Sequence, residues 1–436
     1  MKLNWFSPLP PAKTDIAHYT ARVLPALSSL AEVTLWTDQR EWDQSLNKQV
    51  EVRSFRLERM PWAELNRADA TVYQIGNNPL FHGSIWQISR LHAGIVVLHD
   101  FRLHHFFDGL YRVKWRDLGS YLAVMEAYYG EEGRRDARES FQNEARNIAY
   151  MAEHYPLTRL AVENALGVVV HSRETYDALS PDSDWPIVCA PLPFSSGAIS
   201  ARSPARKDGP PYRLIVFGYI GRNRRLDALL KALAELPERG QFHLDVYGEI
   251  LDGEEQIRSQ IRALDLKKQV TLHGFTAEAK LDQALSVADL AINLRYPTMG
   301  EASGSQLRLW AHGLPSMVSK VGWYASLPPD AVKFVRTDTN EVADIQANLR
   351  AFLNDPGALA LLGQRGRKEL ETHHSCEHYA KTIVELAQTA GEFRARAMTL
   401  KLAERAGALL SEWLGPAVIA ESSESIATEI LEFSKA

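Results

Sequence analysis

Short apolar runs recur along this chain and alternate with longer stretches in which apolar positions return every three or four residues. The first half carries such runs at residues 3–6, 33–36, 71–75, 95–99 and 167–171. The second carries them at 212–217, 243–247, 270–272, 289–294, 316–319 and 332–335. Runs of that length suit buried strands, and the longer period between them suits amphipathic helices. Leu226, Leu229, Leu230 and Leu233 show the helical pattern clearly. Strand and helix in alternation predict an α/β fold with a parallel sheet in each half. Ligands of such sheets bind beyond the carboxyl ends of the strands, so chemistry is sought where each run stops.

Two stretches break the rhythm. Residues 195–211, SSGAISARSPARKDGPP, have the composition of a linker or long surface loop. Residues 101–166 are helical and strandless, with Tyr111, Trp115, Tyr121, Tyr128 and Tyr129 among charged residues, and read as an insertion into the first half. Arg112, Lys114 and Arg116 beside Trp115 suit either a solvated helix face or a peripheral contact with an anionic membrane surface. The expected division is 1–194, a linker at 195–211, a second domain at 212–375, and helices at 376–436.

Composition narrows the function classes. With 24% charged and 45% hydrophobic residues, the chain of 436 is an ordinary globular one, and a net charge of −5 argues against a nucleic-acid partner. Cys189 and Cys376 make neither a disulfide framework nor a zinc spacing, which favours a reducing cytoplasm. The N-terminus breaks at Pro8, Pro10 and Pro11 instead of forming a signal-peptide core. No run of about 18 apolar residues is present to span a membrane.

The densest chemistry lies at residues 289–319, where a strand leads into a loop with Arg295, Pro297, Gly300 and Glu301. Ser303-Gly304-Ser305 then opens a helix that Gly313 and Pro315 close. A helix start offers unpaired N–H groups to a phosphate, and Glu301 can accept from sugar hydroxyls. The same segment also reads as a plain strand-to-helix joint with serine as cap. Upstream, Gly218 and Gly221 permit a tight turn, Asn223 is a candidate cap, and Arg222, Arg224 and Arg225 concentrate positive field. At Gly274-Phe275 another strand turns, with Thr276 as candidate cap of the next helix. In the first half His99 and Asp100 end a strand at the sheet's carboxyl edge, where ligands of such sheets bind. Asp15 and His18 follow the first strand, with Asp15 a candidate helix cap. His104 and His105 lack partners at metal-ligand spacing, and Asp182-Ser183-Asp184 lies in a Pro-flanked loop, so no metal is expected.

The stretch Gly300-Glu301-Ala302-Ser303-Gly304-Ser305 resembles the donor-binding signature of family 4 glycosyltransferases. These are retaining enzymes of the GT-B architecture, with two facing Rossmann-like domains and nucleotide sugars as donors. Glu301 matches the first carboxylate of the family's E-x7-E pattern, and the second position holds Leu309. The segment from Phe217 to Asp227 resembles the family's Gly-Arg-Leu-x-x-x-Lys-Gly loop, with Arg224 at the lysine position, Tyr219 in place of the arginine, and Arg222 as its nearby substitute. Gly274 and Phe275 look like the turn whose backbone reads the base. His99 falls where the family places a histidine near the transferred sugar, and Asp15 stands where it usually has a glycine.

What the resemblance implies is a retaining, metal-independent hexosyltransferase with no cofactor and a GDP- or UDP-linked hexose as co-substrate. Gly218, Arg222, Asn223, Arg224, Gly274, Phe275, Arg295, Ser303, Gly304 and Ser305 would bind the donor, with His99 and Glu301 at the reacting sugar. Asp15, His18 and Asp100 would meet a glycan, lipid-linked or small glycoside acceptor of polysaccharide or cell-envelope synthesis. The C-terminal helix would cross back to the first domain, and the protein would work in the cytoplasm or at the inner membrane face. A catalytically inactive sugar-nucleotide binder is the alternative, with Leu309 and Tyr219 as its best support. A GT-B epimerase or phosphorylase would need additional acid/base carboxylates or a lysine-held cofactor.

Overall fold

The structure, a computed structural model, describes residues 1–414 except 142–143, 183–184, 198, 200–208 and 252. Ser183 and Asp184 of the Asp182-Ser183-Asp184 motif and most of the expected linker therefore lie outside the described residues, as does 415–436 of the expected terminal helices. The chain divides into two compact units. One takes Met1–Val170, Tyr176–Ala190 and the chain from Ala380 onward, and the other takes His171–Thr175 and Pro191–Tyr379.

The first unit is built on β1 (Lys2–Phe6), β2 (Glu32–Thr37), β3 (Glu51–Ser54), β4 (Ala70–Ile75), β5 (Gly94–Leu98), β6 (Ala165–Val170) and β7 (Ile187–Cys189). The second is built on β8 (Tyr212–Phe217), β9 (Phe242–Tyr247), β10 (Val270–Gly274), β11 (Leu290–Asn293), β12 (Ser316–Ser319) and β13 (Lys333–Val335). The strand orders are β3-β2-β1-β4-β5-β6-β7 and β10-β9-β8-β11-β12-β13, and the pairings are parallel. Every apolar run named from the sequence is a strand. β3 and β7 are additional: β3, EVRS, has no buried residue, and β7, IVC, is apolar but at three residues too short to register as a run.

Parallel sheets are covered on both faces, which explains why β5 (GIVVL) and β6 (ALGVVV) are buried along their whole length. The insertion supplies part of that cover. Phe106, Phe107, Leu110, Tyr121, Met125 and Met151 share one core with Phe6, Tyr73, Ile75, Val96 and Leu98. Its helices include Leu118–Glu139, broken at Gly130 (φ 66°), Ile148–His154 and Thr158–Val162. A buried carboxylate pins them: Asp136 accepts from the hydroxyls of Tyr150 (3.2 Å) and Tyr155 (2.9 Å) and pairs with Arg146. His104 spends both ring nitrogens locally, on the Tyr155 carbonyl (2.6 Å) and the Tyr121 hydroxyl (2.8 Å), and burial pushes its pKa down to about 4. It is a neutral core histidine.

In the second unit the helix Leu226–Glu235 covers one sheet face, with Leu229, Leu230 and Leu233 packed on Leu214, Val216, Leu244 and Val246. The helix Gly304–Ala311 is backed by the helix Pro356–His373, whose Gly363 and Gly366 allow unusually close approach. A Cβ at Gly363 would overlap the Gly313 carbonyl, and one at Gly366 would overlap the Trp310 ring. The helix Cys376–Leu414 starts in the second unit and from Ala380 belongs to the first, where Leu386 lies against Gly167 of β6.

Candidate functional site

In the second unit three neighbouring strands end in glycine. Gly218, Gly248 and Gly274 follow or close β8, β9 and β10 with φ of 108°, 128° and 68°, angles that side chains rarely adopt. Gly218 N donates to the Tyr247 carbonyl (3.0 Å) and Gly248 N to the Gly274 carbonyl (2.8 Å). Gly248 leans so closely on Gly218 that a Cβ there would overlap the Gly218 carbonyl. At these three strands the carboxyl edge of the sheet is therefore bare backbone. Beside it the His273 ring stacks on Tyr247 (4.1 Å) and meets Asp245 Oδ1 (2.6 Å). Gly274 opens onto space within 4 Å, and Phe275 is 63% exposed.

The three arginines of the next turn have separate fates. Arg222 is exposed. Arg225, left-handed at φ 53°, grips the buried Glu341 through Nε (2.9 Å) and Nη2 (2.5 Å), a structural clamp. Arg224 turns inward and is buried, donating to Asn293 Oδ1 (2.8 Å), Ser305 Oγ (3.4 Å) and the Tyr219 carbonyl (3.4 Å). A Cβ at Gly218 would sit 2.8 Å from Arg224 Nη2 and 3.9 Å from Ser305 Oγ. The strand-end glycine, the buried guanidinium and the helix start thus meet at one point. Asn223 was a candidate cap. The residue preceding the helix is Arg225 and no side chain caps it, because the left-handed turn carries Asn223 to the side of Gly221.

Glu301 sits in the loop after β11. Its Oε2 accepts from Thr298 Oγ1 (2.7 Å) and Met299 N (2.7 Å), and its Oε1 lies 3.2 Å from Arg295 Nε. A carboxylate offers about four acceptor positions, so capacity for a hydroxyl remains. Arg295 is thereby engaged with Glu301. Ser303 caps the helix Gly304–Ala311 by accepting from Gln306 N (3.1 Å), as the sequence suggested, and a Cβ at Gly304 would meet nothing within 4 Å. Leu309 is fully buried among Ile215, Phe217, Leu285, Ala291 and Leu314, so it faces the sheet and no ligand. Thr276 does not cap its helix: Ala277 occupies the cap position, and the Thr276 hydroxyl turns back to the Gly274 carbonyl (3.3 Å).

In the first unit His99 follows β5, 9% exposed, with Nε2 2.8 Å from Gln74 Oε1 and its ring 4.9 Å edge-on to Tyr19. Asp100 Oδ2 accepts from Asn77 N (2.7 Å) and so shapes the loop after β4. The cap expected of Asp15 falls to Thr14, whose side chain accepts from Ile16 N. Asp15 is the first helical residue and exposed, and His18, one turn on, is half-buried.

Two site residues escaped the sequence reading, Gln74 and Asn293. Each is a carboxamide near the end of an apolar strand, β4 or β11. An amide buried in such a run costs free energy unless it is hydrogen-bonded, and that mismatch was the available signal. Asn293 passes its other end on, Nδ2 to Gln306 Oε1 (3.0 Å), and Gln306 Nε2 continues to Ser316 Oγ (2.8 Å).

Residues 200–369 match the family model described as glycosyl transferases group 1. No curated protein sequence matches the chain. Among solved structures, sucrose-phosphate synthase from Thermosynechococcus elongatus is similar with a TM-score of 0.61 at 17% identity, over 89% of this chain and 98% of that one. HepE of Anabaena, in complex with UDP and glucose, gives 0.61 at 14% identity over 89% and 100%. WaaG, a glycosyltransferase involved in lipopolysaccharide biosynthesis, gives 0.53 at 14% identity over 88% and 99%. The fold is GT-B, with two Rossmann-like parallel-sheet units.

Proposed function

We propose that this protein is a retaining, metal-independent family 4 glycosyltransferase that moves a hexose from a nucleotide-diphosphate sugar to a glycan, lipid-linked or small glycoside acceptor. The observation that carries the reading is the meeting of Gly218, Arg224 and Ser305 at the carboxyl edge of the second sheet. A diphosphate laid on that edge would meet a buried guanidinium, the N–H groups opening the helix Gly304–Ala311, and open space above Gly304. Arg222 would add positive field from the rim, and Asn223 would brace the turn. The backbone at Gly274 and the exposed Phe275 would face the base. Glu301, held by Thr298, Met299 and Arg295, would accept from sugar hydroxyls.

His99 would attend the transferred sugar, and Asp15, His18 and Asp100 the acceptor. In the transfer the bond from the anomeric carbon to the diphosphate oxygen breaks. The acceptor oxygen then bonds that carbon on the same face, and its proton passes to the departing phosphate. Arg224 and the helix dipole would take the charge that a metal takes elsewhere. The UDP complex of HepE makes UDP the first nucleotide to try, with GDP as alternative. The likeness to WaaG, involved in lipopolysaccharide biosynthesis, supports a place in polysaccharide or cell-envelope synthesis.

A lipid-linked acceptor at an anionic membrane face is supported by one exposed run. Val113 (72% exposed), Trp115 (37%) and Leu118 (45%) lie there beside Lys114 and Arg116. Among the described residues no helix is long and apolar enough to cross a membrane. The protein is expected to co-sediment with anionic vesicles and to stay free of zwitterionic ones.

A catalytically inactive binder is the second reading, favoured by the burial of Leu309 at the position of the second carboxylate of the E-x7-E pattern. Turnover of UDP- and GDP-hexoses, with and without EDTA, decides between them. Wild type should release nucleotide regardless of EDTA, and Glu301→Ala should lose roughly 100-fold or more of that rate while still binding nucleotide. Nucleotide binding without turnover in wild type would establish the inactive reading, and no binding at all would remove the donor site.

A further inference from the structure

We propose that Gln74 is a positioning residue for His99, fixing which ring nitrogen carries the proton and keeping the imidazole neutral at the sugar. This rests on the reading of His99 given above. β4 and β5 run side by side with Gln74 opposite Val97, one step short of the sheet edge, and His99 N extends the ladder onto the Ile75 carbonyl (2.9 Å). From there the fully buried Gln74 side chain sets Oε1 2.8 Å from His99 Nε2. An amide oxygen only accepts, so this contact requires the proton on His99 Nε2 and makes Nδ1 the acceptor nitrogen of the neutral ring. A carboxylate in the same place would draw the ring toward the cation, which would oppose positive charge developing on a transferred sugar.

Packing alone does not explain this residue. Gln74 Nε2 is buried and has no hydrogen-bond partner. A buried donor left unmet carries a desolvation cost that leucine, of similar size, would avoid. A glutamine there is a stability sacrifice made for what its oxygen does. Its other neighbours leave the amide no competing task. His82, fully buried, uses Nδ1 on the Gln74 main-chain carbonyl (2.9 Å), and Tyr19 meets the His99 ring in a T-shaped contact at 4.9 Å. Among the described residues, the titratable groups near this corner include Tyr19 from the helix Asp15–Ser28, whose ring meets His99, His82 from the helix Pro79–Leu91, which reaches Gly76 and the Gln74 carbonyl, and Asp100, next in the chain to His99.

A double-mutant cycle tests the assignment in the full-length protein. Gln74→Leu should leave the melting temperature nearly unchanged, the unmet Nε2 it removes offsetting the acceptor that His99 loses, while kcat falls roughly 10-fold with nucleotide affinity unchanged. In a His99→Ala background, Gln74→Leu should change kcat no further. An equal loss in both backgrounds, or no loss in wild type, would overturn the proposal. Nitrogen-15 spectra of His99 supply an activity-independent readout. Wild type should show a protonated Nε2 at neutral pH, and Gln74→Glu should raise the His99 pKa by about one unit or more. An unprotonated Nε2 in wild type, or a pKa indifferent to Gln74→Glu, would also overturn it. Full activity in His99→Ala would instead remove the reading of His99, leaving the nitrogen-15 result to decide the positioning by itself.

Discussion

Both sheets are wound in the same order, and both place a carboxamide near the carboxyl end of the strand just past the reversal: Gln74 on β4 and Asn293 on β11. Asn293 is satisfied at both ends, by Arg224 and by Gln306, in a chain that reaches Ser316. Gln74 is satisfied at one end, by His99, and its Nε2 is left without a partner. The second unit holds a cation and can spread its cost over a network. The first holds a neutral ring, and a larger network would bring donors and acceptors that disturb its proton. One winding thus supports two opposite electrostatic tasks, and the carboxamide is what adapts.

Acid should separate the two regions most. Burial pushes His82 and His104 in the first unit down to about 4, from an ordinary value of 6.5. Their unfolded forms bind a proton near 6.5 and their folded forms only near 4, so the stability they protect is complete above 6.5 and is lost as pH falls towards 4. The loss is about 3 kcal/mol for each ring. Calorimetry from pH 7 to 4 should therefore show the first unit melting earlier with each step. His312 and His374 of the second unit are also lowered by burial, His312 against the pull of Asp282, and add a weaker dependence of the same sign.

Next in size is Asn293→Leu. It strips buried Arg224 and Gln306 of a partner each and should cost about 2–3 kcal/mol by denaturant titration, whereas Gln74→Leu should come out near zero, the unmet Nε2 it removes offsetting the acceptor that His99 loses. Nucleotide affinity, read by calorimetric titration, should fall with it because Arg224 loses its anchor. If Asn293→Leu were neutral, the contrast between a satisfied and a half-satisfied amide would collapse. Smallest is Gly274→Ala. The site has room for a methyl, so only the left-handed backbone is penalised, by about 1 kcal/mol, and thermal unfolding should register little else.

The alternation of apolar runs was enough to place every interior strand, because a parallel sheet buried on both faces must be apolar along each strand. It missed β3 and β7, which lie at the sheet edges and have little to bury. Local chemistry was legible where one residue type decides: Ser303 as cap, Gly218 and Gly274 as turns. It failed at Asn223, Thr276 and Asp15, where the expected cap depends on the direction in which the chain enters the helix. Three arginines in four residues looked alike in sequence. Only the fold gives Arg225 the remote carboxylate of Glu341 and turns Arg224 onto Asn293, a residue distant in the chain.

The glycines that seat the helix Pro356–His373 against the helix Gly304–Ala311 set a mechanical tolerance. Gly363 and Gly366 act as shims of zero thickness behind the part that faces the ligand. A methyl inserted at either one would tilt that part like a hinge pin out of true, moving Ser303 to Ser305 by a fraction of an ångström without altering an atom of the binding edge. Hydrogen bonds to a diphosphate are steep in distance, so such a change would read as a binding defect that no inspection of the binding residues could trace. In this protein the accuracy of the front face is machined at the back.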